Sequence, residues 1–76
     1  MPHWLDELRP GQTGAVRSLS GEEHLRRRLQ DLGFIPGTRV ACLRRSPLGD
    51  PAAYLVRGAV IALRCTDARR IALEEP

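Results

Sequence analysis

The sequence predicts a mainly β fold: a small, strongly bent barrel of about five strands, with one inserted α-helix at about residues 21–32 and a short helical turn near residues 66–70. Three observations carry that expectation. Short apolar runs are separated by turn-forming Gly and Pro at Pro10-Gly11, Pro36-Gly37, the Pro47–Pro51 segment and Gly58. A single stretch has the leucine spacing of a helix. The chain has 76 residues, enough for one thin-cored domain over residues 1–76, and a closed sheet gives so few strands a shared interior.

The elements follow in order. A turn opens at Pro10, and Ala15–Leu19 reads as a first strand. Ser20 and Glu23 stand at capping-box spacing, with the Ser20 hydroxyl expected to accept from the Glu23 amide. Leu25, Leu29 and Leu32 follow at i, i+4 and i+7, one stripe of a helix. Gly33 is positioned to end that helix in a left-handed conformation, and Phe34 to pack back on Leu29. Thr38–Arg45 reads as a strand with Val40 and Cys42 on one face. Ser46–Pro51 is a loop stiffened by two prolines. Ala53–Arg57 and Ala59–Arg64 form a hairpin about Gly58, and their apolar residues fall on both faces. Such strands are buried on both sides or leave one side for a partner. Thr66–Arg70 forms a helical turn, and Ile71 and Leu73 alternate in a last strand. A helix laid over one opening of these strands makes an SH3-like β-barrel. Leu25, Leu29, Leu32, Val40, Ile61, Leu63 and Ile71 are the expected core.

Composition narrows the function. The net charge is +3 and all twelve basic residues are Arg. Five of them fall in residues 38–64 against one acid, Asp50, so the excess lies mid-chain. That is thinner than the footprint of an obligate nucleic-acid binder. The longest apolar run, Ala59–Leu63, is too short to span a membrane. The first residues lack the basic and apolar regions of a secretory signal. Two cysteines in no CxxC arrangement are too few cross-links for a small secreted domain. A cytoplasmic protein with reduced thiols is expected.

The residues that invite chemistry have plainer readings. Cys42, Cys65, His3 and His24 match no common zinc spacing. Cys42 reads as a small core hydrophobe and His24 as a surface residue. Ser18, Ser20 and Ser46 have no neighbouring His, and Gly33–Gly37 lacks the Lys-Ser/Thr ending of a phosphate loop. No catalytic residue, metal ligand or cofactor is assigned. Arg26, Arg27 and Arg28 form a basic run, but Glu22, Glu23 and Asp31 lie at pairing distance along a helix. The run reads as a self-neutralised face, with Arg27 pointing most directly away from the leucines. The Pro47-Leu48-Gly49-Asp50-Pro51 loop is either a plain linker or a rigid docking element presenting Leu48.

Taken together, Arg28-Leu29-Gln30-Asp31-Leu32-Gly33-Phe34-Ile35-Pro36-Gly37-Thr38, the Pro47–Pro51 loop, Val56-Arg57-Gly58, Ile61-Ala62-Leu63-Arg64, Asp67-Ala68 and Ile71 closely resemble the ferrous iron transport protein A family, FeoA, over about residues 5–74. The resemblance implies a cytoplasmic SH3-like domain without enzymatic activity. It implies as partner FeoB, a ferrous iron permease with a cytosolic GTP-binding domain, and contact with the membrane only through that permease. Similar domains end metal-dependent transcriptional repressors; with no DNA-binding domain before residue 5, the stand-alone form is the expected one. Iron binding by this chain is not expected, because Fe²⁺ favours His and carboxylate clusters. The expected contact surface joins the helix edge at Arg27, Arg28 and Asp31 to Pro47, Leu48, Gly49, Asp50 and Pro51, with Tyr54 as an aromatic anchor.

Two rival classes stay open. Gly11–Val16 resembles the opening of ribosome-associated SH3-like modules, and residues 38–64 are basic. Against nucleic acid stands the scarcity of aromatics for base stacking, so none is expected as partner. The other rival is a homo-oligomeric adaptor pairing through strand edges.

Overall fold

The computed structural model describes residues 2–74. Five antiparallel strands form one sheet: β1 (Thr13–Leu19), β2 (Arg39–Arg45), β3 (Ala52–Val56), β4 (Ala59–Leu63) and β5 (Ile71–Leu73). Their order is β4-β3-β2-β1-β5. The two end strands do not pair, so the barrel is SH3-like but loosely closed. Helix α1 (Glu23–Asp31) joins β1 to β2, and α2 (Cys65–Ala68) joins β4 to β5.

β1 makes the bend. Its first half pairs with β2, Thr13 opposite Ala41 and Ala15 opposite Arg39. Its second half pairs with β5, Val16 opposite Leu73 and Leu19 opposite Ile71, with an irregularity between Val16 and Ser18. A strand that changes partner along its length is how a short sheet curls around its own interior. β3 and β4 form a tight hairpin about Arg57 (φ +50°) and Gly58 (φ +82°). Two consecutive positive φ values match the right-handed twist of the strands, and glycine accepts the second without strain.

The helix ends as its sequence requires. Gly33 sits at φ +111°, its amide donates to the Gln30 carbonyl at 2.9 Å, and the Phe34 amide donates to the Leu29 carbonyl at 3.0 Å. That is a complete Schellman motif. It turns Phe34 inward, where it is fully buried with Leu29.

The start of the helix departs from the sequence reading. Glu22 occupies the N-cap with no side-chain cap, and the helix begins at Glu23 rather than near residue 21. The Ser20 hydroxyl donates to the Arg70 carbonyl instead, at 3.3 Å, tying β1 to the turn before β5. A partner fifty positions away outcompetes the local cap.

Of the expected core, Leu29, Val40, Leu63 and Ile71 are buried, and Leu25 and Ile61 are half-buried against them. Leu32 is exposed because the helix stops one residue before it. The core also takes Leu5, Leu8, Val16, Cys42, Tyr54 and Val56. Leu5 belongs to a 3-10 turn, Leu5–Glu7, that the sequence reading did not contain. The Glu7 carboxylate accepts the backbone amides of His3 and Trp4, at 2.6 and 2.9 Å. These two bonds hold its carboxyl below the usual range. The Arg45 guanidinium donates to the Asp6 and Leu8 carbonyls from the other side. The turn thus carries Leu5 and Leu8 into the barrel end.

Candidate functional site

The predicted surface begins on α1. The Arg27 guanidinium pairs with the Glu23 carboxylate one turn earlier, at 3.4 Å, and both side chains are largely exposed. This is the self-neutralising pair that the spacing predicts. Arg28 instead reaches across to Asp67 of α2, at 3.2 Å. An exposed pair of this kind contributes under about 1 kcal/mol, but it fixes which face of α1 turns toward α2. Asp31 is exposed at the last helical position.

The loop is organised by its own backbone. The Gly49 amide donates to the Ser46 carbonyl at 2.8 Å, and the Ser46 amide to the Pro51 carbonyl at 3.1 Å. Leu48, at the tip, is 94% exposed. Asp50 leaves the loop: its carboxylate accepts the backbone amide of Cys65 at 3.0 Å. Cys65 is the first residue of α2, whose N-cap Arg64 supplies no side-chain cap. Asp50 therefore caps α2 from fifteen residues away, satisfying one of the amides that any helix start leaves open.

Helix α2 thus holds both halves of the predicted surface, α1 through Arg28–Asp67 and the loop through Asp50–Cys65. Sequence reasoning missed this bridge, since Asp67 and Cys65 carry no signal of their remote partners. Asp50→Ala is expected to cost about 1 kcal/mol and to raise amide exchange at Cys65. Asp50→Asn, which keeps an acceptor oxygen, should lose less. Paired urea melts and hydrogen exchange measure both.

Tyr54 is not part of this surface. It is fully buried, packed in the core between β2 and β4. On β3 it alternates with Ala52 and Val56, which also point inward; period-2 spacing with Val56 was the available signal. An anchor buried in the barrel cannot meet a partner.

No group of three or more His, Cys, Asp or Glu side chains that could hold a metal occurs among the described residues. Nor is any helix among them long and apolar enough to cross a membrane.

The FeoA domain model matches residues 3–75. The chain belongs to the FeoA family. That family is linked to ferrous iron transport and consists of accessory rather than catalytic domains. The solution structure of FeoA from Chlorobium tepidum is 37% identical, covering 92% of this chain and 67% of that one with a TM-score of 0.85. The zinc complex of FeoA from Stenotrophomonas maltophilia, a prokaryotic SH3 domain protein, is 28% identical, covering 96% of this chain and 91% of that one with a TM-score of 0.84. A fusion of Fe(2+) transport protein A to the transporter FeoB in Porphyromonas gingivalis is 30% identical over 70 residues. This match takes in 92% of this FeoA chain but only 8% of the fusion's length.

Proposed function

We propose that this chain is a non-enzymatic accessory protein of ferrous iron uptake that works from the cytoplasm by direct contact with a FeoB-type permease, at its cytosolic GTP-binding region. The observation that carries the reading is the fusion in Porphyromonas gingivalis, in which a related domain and the transporter are one polypeptide. Tethering holds two modules at high effective concentration, an arrangement that serves partners which touch. The proposed surface is the α1 edge at Arg27, Arg28 and Asp31 with the loop from Pro47 to Pro51; Tyr54 is withdrawn from it. Leu48 is the proposed anchor, an apolar side chain on a hydrogen-bonded loop that loses little freedom on docking.

Titrating the isotopically labelled protein with the cytosolic GTP-binding domain of its cognate permease tests this. Saturable amide shifts at Arg27, Asp31 and Leu48 are expected, and Leu48→Glu should weaken binding about tenfold or more. Saturable binding that leaves these amides unmoved overturns the surface, and an absence of binding overturns the choice of the GTP-binding region.

A further inference from the structure

The two edges of the sheet are treated differently. Beyond β5, Trp4 bridges to Ala72, and the Leu73 amide donates to the His3 carbonyl at 2.8 Å. The N-terminal segment therefore covers that edge. Beyond β4 no strand pairs among the described residues. The β4 sequence, Ala59-Val60-Ile61-Ala62-Leu63, has no charge, no proline and no bulge against β3. Those are the devices by which proteins usually blunt an exposed edge.

The outward face beside that edge is apolar. Leu55 of β3 stands opposite Val60 of β4 and Ala41 of β2, and Ala53 stands opposite Ala62. Val60 is 65% exposed, and Leu43 and Leu55 are exposed with it. At one end lies a groove of about 330 Å³, lined among others by Arg44, Ser46, Pro47, Pro51, Ala53 and Ala62. The Ser46 hydroxyl there is buried without a hydrogen-bond partner.

We propose that the free β4 edge and this outward face form a docking strip for an extended acidic and apolar segment of a partner protein, which adds to the sheet as a further strand. The charge selects the occupant. Arg44 stands opposite Ala53 and lines the groove, and Arg64 continues the alternation of Val60 and Ala62. Both are exposed. The single acid of residues 38–64, Asp50, is engaged at the Cys65 amide. Carboxylates on an added strand meet this field favourably. A second copy of the chain brings the same arginines to the same strip, and like charges across a strand pair repel. Single-stranded nucleic acid wants aromatic platforms, and the aromatic of β3, Tyr54, is buried. An added strand gains main-chain hydrogen bonds along β4, and its alternate side chains fall on Leu55, Val60 and the groove. The groove shares Pro47 and Pro51 with the proposed permease surface, but the β4 edge, the α1 edge and the Leu48 tip are distinct, and the strip is argued without the permease reading.

The test titrates the intact labelled protein at low salt with a blocked peptide about eight residues long in which valine and glutamate take turns at every second position with threonine between them, so that both fall on one face of an added strand, and with its counterpart carrying lysine for glutamate. Saturable shifts at Val60, Ala62, Leu55 and Arg44 with the glutamate peptide are expected, with binding weakened about tenfold by Arg64→Glu and at least as much by Val60→Glu, which removes the apolar contact and repels the carboxylates. Both substitutions sit at exposed positions, and an unchanged core spectrum verifies the fold. The proposal is overturned by no saturable shift at about 1 mM peptide, by equal response to the lysine peptide, or by shifts confined to α1 and Leu48. Preferential binding of a short single-stranded RNA at the strip overturns it as well, as does concentration-dependent dimerisation that protects the β4 amides.

Discussion

Phe34→Ala should cost about 3–5 kcal/mol, against a total stability of about 4–11 kcal/mol for a chain of this length. The variant is expected to be largely unfolded or close to it at room temperature. Two links of the fold meet at this side chain. Its amide closes the Schellman motif on the Leu29 carbonyl, and its ring is fully buried beside Leu29 in the common core. Alanine keeps the backbone bond and removes the ring, leaving a cavity that a thin-cored domain has few side chains to refill. Phe34→Leu should recover most of the loss, because it restores much of the volume. Urea unfolding followed by far-ultraviolet circular dichroism measures both variants. A loss under about 1 kcal/mol for the alanine variant would sink the packing account.

The helix end was legible because everything that makes it is local. Leu25, Leu29 and Gly33 lie within nine positions, and the bonds that close the motif join neighbours in sequence. The strands were legible from alternation and turn residues for the same reason, to within a few residues at each end. What could not be read is long-range. Ser20 spends its hydroxyl on Arg70, and Arg28 pairs with Asp67; nothing in the spacing announces either. The 3-10 turn at Leu5–Glu7 has a local half, Glu7 reaching back to the His3 and Trp4 amides, and a remote half, Arg45 on a strand far along the chain; only the first was there to be read.

The candidate surface divides in the same way. Exposure of Leu48 at a stiff loop tip could be anticipated from two prolines and a glycine. The role of Asp50 could not, since its acceptor oxygens serve a helix that starts fifteen residues later. Tyr54 was misassigned because β3 and β4 carry apolar residues on both faces. Alternation then gives two faces without saying which is inside. The same ambiguity, once resolved by the structure, leaves Leu55 and Val60 outward and motivates the docking strip.

Above pH 10 the protein should lose roughly 2 kcal/mol of stability, and Tyr54→Phe should abolish that loss. Tyr54 is fully buried and its hydroxyl has no hydrogen-bond partner. Burial pushes its pKa from 10.0 up to about 12, with the Arg45 guanidinium pulling weakly the other way. The folded state therefore holds the phenolic proton more tightly than the unfolded chain. The contribution is complete below pH 10 and drains away as pH rises toward 12. The Cys42 thiol behaves in the same sense: burial raises it above 9.0, opposed by Arg45 and the Arg44 amide, so a smaller loss sets in from about pH 9. Phenylalanine has no proton to lose and no polar group to bury. At pH 7 Tyr54→Phe is expected to match the wild type or exceed it by about 1 kcal/mol, since an unpartnered buried hydroxyl is a cost that the substitution removes. Urea melts at pH 7, 9, 10 and 12 on both proteins separate the two groups. A Tyr54→Phe variant that is clearly less stable at pH 7 would mean that the hydroxyl is held by a partner rather than stranded in the core, and one that loses as much as the wild type between pH 10 and 12 would mean that other groups drive the alkaline loss.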